Sequence, residues 1–466
     1  AGAVSNIQGT LAANGTTAID AASLDSTGGT VAAVTGDLNV MTTGQTINDG
    51  GTLQAGGKTT LSNGGMSNVA GKVFGDSLTV NTSGNGLNNA QGTLAATTTV
   101  ALSSGALSND AGLIQSGAAM TINTNGQALT NTSAAGHSTK QGGIASGDTL
   151  TLTSGDLANK AGFIGAKNAL SADTQAFSNT DKGTVFGQST VAINAHGAKY
   201  DNSGGQTQAV GDLGINAGNI QNTGGLVRSL ATTTLNAATI GNTNNQGTDQ
   251  GIEGKNVVIA ANELTNDTGG AIRADVNVTV RSGGTVSNKN GLISAGNTLS
   301  ITDPNAANPA AKTLSVVNTG GTLVAGTAAV LGADGKVQTA AFGKLEIDAK
   351  SFSGDGTTIG VNDLSIALAQ DVTNSVDVKA GGNLIYSTTG KLTNYGKLLA
   401  GGTVTASGNE VDNKANAEIS GANTIVNVSS TLTNRGLIDS QGSTQINAGA
   451  TTKAGVTTGT GTVQNL

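Results

Sequence analysis

Few residues of this chain are equipped for chemistry, and their spacing argues against catalysis. The 466 residues include five glutamates, two histidines and no cysteine. Acid–base cleavage of a sugar polymer needs two carboxylates a few ångström apart on one face. The nearest alignment is Glu418 with Asp439, each five residues after an asparagine of neighbouring repeats, but they fall on opposite sides of Ile419 and Ile438. His137 lies in an expected loop and His196 in Asn194-Ala195-His196-Gly197, neither with Cys or Glu at ligand spacing, so no metal or other cofactor is expected. Gly-x-Ser-x-Gly elbows, P-loops and calcium repeats are absent. Without a nearby base, the many serines and threonines read as surface hydroxyls. Of the nine aromatics, Phe74 and Phe186 should lie outward by alternation with Val73 and Val185, and Tyr386 with Tyr395 on adjacent repeats is the better pair for touching a partner.

The polar residue that recurs with a period is asparagine. It stands at Asn68, Asn89, Asn109, Asn131, Asn159, Asn179, Asn202, Asn222, Asn266, Asn288, Asn374, Asn394 and Asn434, with Asn6, Asn48, Asn242, Asn318 and Asn413 completing the series. Ser26 and Gly354 occupy two of the equivalent positions. An amide both donates and accepts, so stacked asparagines can bond one another, and at a corner asparagine tolerates the left-handed backbone. These positions are expected to be structural.

The elements that must carry them follow from Leu107-Ser108-Asn109-Asp110-Ala111-Gly112-Leu113-Ile114-Gln115-Ser116 and Met120-Thr121-Ile122. The pattern apolar-x-Asn, a turn, Gly-x-apolar, then apolar-x-apolar returns as Met66-Ser67-Asn68 with Gly71-Lys72-Val73 and as Leu432-Thr433-Asn434 with Gly436-Leu437-Ile438. A repeat of about 20 residues marks a solenoid, and the local period of 2 marks short strands. Glycine and asparagine between them suit corners that need positive φ. The spacing therefore predicts an all-β chain, a parallel β-helix of about 20 rungs forming one shaft over 1–466, with rungs stacked at about 4.8 Å into a rod on the order of 100 Å. Leu107, Ile114, Met120 and Ile122 should point inward, and Ser108, Gln115 and Thr121 toward water.

The repeat breaks at four places. Insertions at 132–142 and 243–250 enlarge the corner after Asn131 and after Asn242, and 302–312 carries both prolines. The segment 326–343 contains Asp334-Gly335 between apolar flanks, which predicts a projecting β-hairpin. Insertions in a solenoid often line a binding face, making His137, Lys140, Asp249, Asp334 and Lys336 candidate partner contacts beside Tyr386 and Tyr395.

A net charge of −7 and 22 dispersed Lys and Arg leave no basic patch for nucleic acid. No apolar run approaches the roughly 18 residues of a membrane helix, so no membrane insertion by this segment is expected. The repeat is already running at Val4-Ser5-Asn6 and still running near Gly461-Thr462-Val463, with no basic, apolar leader, as expected of a piece of a longer shaft.

The repeat apolar-x-Asn-x-x-Gly-x-Ile closely resembles the filamentous haemagglutinin repeat of bacterial two-partner-secreted exoproteins, which include adhesins and contact-dependent growth-inhibition effectors. Leu432-Thr433-Asn434-Arg435-Gly436-Leu437-Ile438-Asp439 is especially similar. The resemblance implies a right-handed β-helical filament at the bacterial surface, exported through an outer-membrane transporter barrel. These residues show no match to an amino-terminal secretion domain or to a Val-Glu-Asn-Asn junction before a toxin, so neither export signalling nor a toxic activity is expected of them. The expected function is a structural shaft presenting an adhesive or toxin-delivery element. The alternative is a receptor- or glycan-binding segment acting through its loops, and a polysaccharide-cleaving enzyme is the remote third.

Overall fold

Short runs in which apolar and polar residues alternate fold as strands whose apolar members share one face, and each run here finds its partner one repeat away. The computed structural model describes residues 2–134, 143–245, 247–326, 330–331, 337–338, 343–449, 451–453, 456–458 and 461–466. The fold is all-β, a parallel β-solenoid of about 20 turns. Among the described residues the only helical segment is the 3-10 turn Pro309–Ala311. The chain divides into two compact units, Ala1–Thr234 and Leu235–Leu466.

In the first unit a turn consists of three strands, such as Leu107–Ser108, Leu113–Ser116 and Met120–Asn123. Each pairs in parallel with its equivalents one repeat before and one after, so that Ile114 stands between Leu94 and Ile144, and Ile122 between Leu102 and Leu152. Leu107, Ile114, Met120 and Ile122 are buried, Ser108 and Gln115 are half-buried and Thr121 is exposed. The core is thus a set of aliphatic columns that no single repeat could bury alone. In the column Leu157, Phe177, Tyr200, Ile220, the rings of Phe177 and Tyr200 meet edge to face, 5.3 Å between centroids at 90°.

In the second unit several strands continue through a corner. Gly251–Thr265 pairs with Ala271–Ser287 along most of their length, with register shifts at Gly254/Asn256 and Ala261/Glu263 where the backbone turns. Thr403–Asn413 and Asn423–Asn434 do the same. Two short antiparallel pairs interrupt the parallel pattern, Val330–Leu331 with Val337–Gln338 and Thr451–Lys453 with Val456–Thr458. The second of these has no counterpart in the expectations from sequence.

Two expectations are corrected. Tyr386, expected at a partner surface, is 1% exposed. In Leu384–Thr388 the outward residue is Ile385, and the tyrosine ring points inward between Ile366 and the small Ala406. Burial pushes its phenol far above the ordinary value. The second correction concerns hydroxyls expected on the surface. Thr82, Ser104, Thr124, Ser154 and Thr174 are buried in successive turns at the corner between third and first strands. Each donates to a corner carbonyl, for example Ser104 Oγ to Gly105 O at 3.0 Å and Thr124 Oγ1 to Gln127 O at 2.5 Å.

Candidate functional site

The feature that repeats in both units is a column of buried asparagine amides. Asn48 Nδ2 donates to Asn68 Oδ1, and the relay continues through Asn89, Asn109, Asn131, Asn159, Asn179, Asn202 and Asn222 with every donor–acceptor distance between 2.7 and 2.9 Å. In the second unit it runs from Asn242 through Asn266 and Asn288 to Asn318, and from Asn374 through Asn394, Asn413 and Asn434 to Asn465, over the same range. Asn465 lies beyond the asparagines that spacing alone picks out. Within the buried column the second proton goes to backbone, as Asn68 Nδ2 to Gly71 O at 3.2 Å and Thr93 O at 3.3 Å and Asn413 Nδ2 to Leu437 O at 3.1 Å, whereas the last link, Asn434 to Asn465, is exposed. Both donor protons of such a buried amide are therefore used, as burial requires.

The same geometry explains the glycine three residues after the asparagine, and it differs from the expectation. A Cβ on Gly71 would lie 2.0 Å from Asn48 O and 2.5 Å from Asn68 Oδ1, and one on Gly112 would meet Asn89 O at 2.1 Å. Close approach, not positive φ, excludes a side chain there. The left-handed residue sits one place earlier, at Ala70 (φ 54), Gln91 (φ 56) and Ala111 (φ 50), while the column asparagines themselves are not left-handed.

The column has two defects. At Ser26 the hydroxyl accepts from Asn6 Nδ2 at 3.1 Å, but Asn48 Oδ1, buried above it, has no hydrogen-bond partner. At Gly354 (φ 112) a Cβ would lie 2.5 Å from Asn318 C and O, so no side chain can enter, and Asn318 Nδ2 turns to Thr357 O at 3.0 Å and Thr358 Oγ1 at 3.4 Å.

The carboxylates serve the same end. Asp49 Oδ1 accepts the Val69 N–H at 2.9 Å, Asp363 Oδ1 the Asn383 N–H at 2.9 Å and Asp371 Oδ1 the Lys391 N–H at 2.8 Å, each one turn away. Glu253, Glu346, Glu410 and Glu418 pair with Arg273, Lys344, Lys391 and Lys397. Glu418 stands opposite Leu437, and Asp439 opposite Ser420, so the nearest carboxylate alignment in the sequence is no facing pair. Among the described residues no group of three or more His, Asp or Glu is placed to hold a metal ion. His196 does meet Asp173, one turn below, and Asn194 on an exposed corner, a pairing that its 23-residue spacing could have suggested.

Of the insertions, 302–312 is firmly built. The buried Asp303 carboxylate accepts the N–H groups of Asn305 at 2.7 Å, Thr313 at 2.5 Å and Leu314 at 2.7 Å. Burial alone would push this carboxyl up, but the three N–H donors and the charge of Lys312 outweigh it and hold it below the ordinary range. The Lys312 ammonium is buried against the Asp348 carboxylate and reaches Ala367 O at 3.4 Å, so one side chain spans two successive turns. In the first unit, burial likewise opposes ionisation of Asp201, and the Lys199 ammonium with the Ser203 hydroxyl and N–H brings its carboxyl below the ordinary value.

Asp249 is exposed on the corner after Asn242, where Asn245 is buried against Asn242. Tyr395 is 56% exposed, with the Lys414 ammonium 5.7 Å from its ring centroid. That lysine shares Asp412 with Arg435 and Lys391. His137, Lys140, Asp334 and Lys336 lie outside the described residues.

The haemagglutinin-repeat family profile matches at residues 1–45, 34–74, 73–136, 131–198, 187–266, 251–303, 340–394, 396–442 and 424–466. No curated protein and no solved structure matches the chain.

Proposed function

Since the chain belongs to the haemagglutinin-repeat family, we propose that it is the structural shaft of a secreted, cell-surface filament, holding an adhesive or toxin-delivery element away from the producing bacterium. The observation that carries this reading is the relay of amides, in which turn after turn passes the same buried hydrogen bond to the next. Such a column adds length and stiffness with each repeat. Repeat proteins of this family are secreted and surface-associated, so the export partner is an outer-membrane transporter barrel and no catalysis is assigned to this segment.

Negative-stain electron microscopy of the purified chain tests the shaft. Rods are expected, and deleting 69–159, four whole turns between equivalent asparagines, should shorten them by roughly 20 Å. Rounded particles, or a length indifferent to the deletion, would contradict it.

A second reading has one observation in its favour. The amide of Asn131 reaches Asn159 at 2.7 Å although the intervening repeat is enlarged, so the insertion is accommodated without interrupting the column. Corner loops can therefore vary freely and contact a receptor or glycan on a target cell. Trimming 132–142, 243–250 and 326–343 back to the repeat should then abolish cell binding while leaving the rods intact.

A further inference from the structure

The corner between second and third strands carries a size pattern that nothing in the shaft requires. The first residue of this corner in each turn donates its N–H to the preceding turn: Gly147 to Ser116, Lys167 to Ser146, Gln188 to Ala166, Val210 to Gly187 and Leu230 to Ala209. Read along the column, these five are a glycine, a lysine, a glutamine and two aliphatics. Val210 is 43% exposed and Leu230 65%, two apolar side chains presented to water on adjacent turns.

Below them the surface sinks, from the turn of Gln188 down to that of Gln115. A recess of about 310 Å³ is floored by Ala145, Gly147 and Gly165 and walled by Phe163 and Phe186. The floor is low for steric reasons: a Cβ on Gly165 would lie 2.4 Å from Phe163 Cζ, whose ring lies across it, and one on Gly147 would lie 2.2 Å from Gly117 O. The tooth and the recess therefore share one corner of the first unit: the recess reaches from the turn of Gln115 to that of Gln188, and Lys167 and Gly147, which line it, stand as many turns below Gln188 as Val210 and Leu230 stand above it.

That symmetry identifies the occupant. We propose that two copies of this chain pair side by side and antiparallel about a two-fold axis at Gln188, each setting Val210 and Leu230 into the recess of the other. A two-fold contact must be self-complementary, with residue i meeting j and j meeting i. Around Gln188 this pairing sets Leu230 of one copy against the small turn of Gly147 in the other, and Val210 against Lys167. It also brings the exposed Lys167 ammonium to the turn holding the exposed Asp212 carboxylate, whose Oδ1 accepts the Thr232 N–H at 3.1 Å. Size and charge are both complementary across the axis. A contact along one corner is small, so association is weak for single molecules. It gains where many shafts stand on one surface, because neighbours are already at high effective concentration. The pairing does not depend on what the shaft carries, and its failure would leave the rods seen by microscopy unchanged.

The absence of cysteine from the chain makes the test direct. A disulfide needs Cα atoms within about 7 Å. The variant Gln188→Cys places a thiol on the axis, whereas Thr97→Cys, four turns lower in the same column, would stand about 38 Å from its counterpart. Under mild oxidation of the full chain, Gln188→Cys is expected to form covalent dimers at least about tenfold faster than Thr97→Cys. Adding Leu230→Asp should return it to the control rate with an unchanged melting temperature, because Leu230 is a surface residue. Lys167→Cys and Val210→Cys should link to each other when mixed, and neither to itself. Equal rates for Gln188→Cys and Thr97→Cys, indifference to Leu230→Asp, or self-linking of Lys167→Cys would overturn the proposal.

Discussion

The two units solve one problem, holding a stack of turns together, by different means. From Asn48 to Asn222 the first unit relies on an unbroken amide column, seconded by the buried hydroxyls of Thr82, Ser104, Thr124, Ser154 and Thr174. The second unit loses the column at Gly354, and there it uses charge. Lys312 bridges from its loop to Asp348 and Ala367, and Asp303 gathers three N–H groups; farther on, beside the restored column at Asn413, Asp412 joins Lys391, Lys414 and Arg435. An amide relay carries no net charge and is indifferent to pH and salt, whereas ion pairs are sensitive to both. The consequence is a chain whose halves should respond differently to the same perturbation.

The largest effect is expected in the column. Asn109→Ala removes the acceptor for Asn89 and the donor for Asn131, both buried, and should destabilise the first unit by about 3–5 kcal/mol. Hydrogen exchange should accelerate in the turns from 87 to 146 and stay unchanged beyond 235; uniform loosening of both units would blur the distinction drawn here. Lys312→Met is the matching cut in the second unit. It strands Asp348, which retains some access to water, so a smaller loss of about 2 kcal/mol is expected, confined to exchange in 344–368.

Acid tests the charged contacts of both units by the same logic. The folded value of Asp303 lies below its unfolded value near 3.9. The stability it lends is therefore present above about pH 4 and is lost as pH falls through the folded value. Asp201 adds a term of the same sign in the first unit. Thermal melts between pH 7 and 2.5 should show the 302–314 loop loosening with acid, and Asp303→Asn should remove that part of the dependence while lowering stability at neutral pH.

The smallest effect has the opposite sign. Ser26→Asn would give Asn48 Oδ1 the donor it lacks and join Asn6 to the column, adding about 1 kcal/mol. Gly354→Asn, the same repair at the other defect, should fail, because φ is 112 and a Cβ would collide with Asn318. A gain at both positions, read as the midpoint of urea unfolding, would show that the two defects are alike.

How much of this was readable beforehand depends on the signal each feature leaves in the sequence. The aliphatic columns through Leu107, Ile114 and Met120 are legible because period-2 alternation and a period of about 20 coincide. The asparagine positions stand out for the same reason, and the bonds between them become visible only when the turns are stacked. The buried hydroxyls were not legible: serine at a corner looks the same whether it faces water or caps a carbonyl. Tyr386 was misread because Ile385 and Tyr386 are both large, and only the strand register decides which points inward. The glycine after Asn-x-x stands out in the sequence but its cause does not, since a carbonyl of the neighbouring turn leaves no mark in a single repeat. Nothing in the spacing around 451–458 separates a paired hairpin from an ordinary corner loop.

The most direct test of the amide column is side-chain hydrogen exchange in protein carrying 15N-labelled asparagine. The Nδ2 protons of Asn68, Asn89, Asn109, Asn131 and Asn159 should exchange as slowly as the strand amides around them, and those of the exposed Asn88 should exchange freely. Column protons exchanging as fast as those of Asn88 would contradict the account, because the turns would then be held by backbone pairing and apolar packing without the amide column.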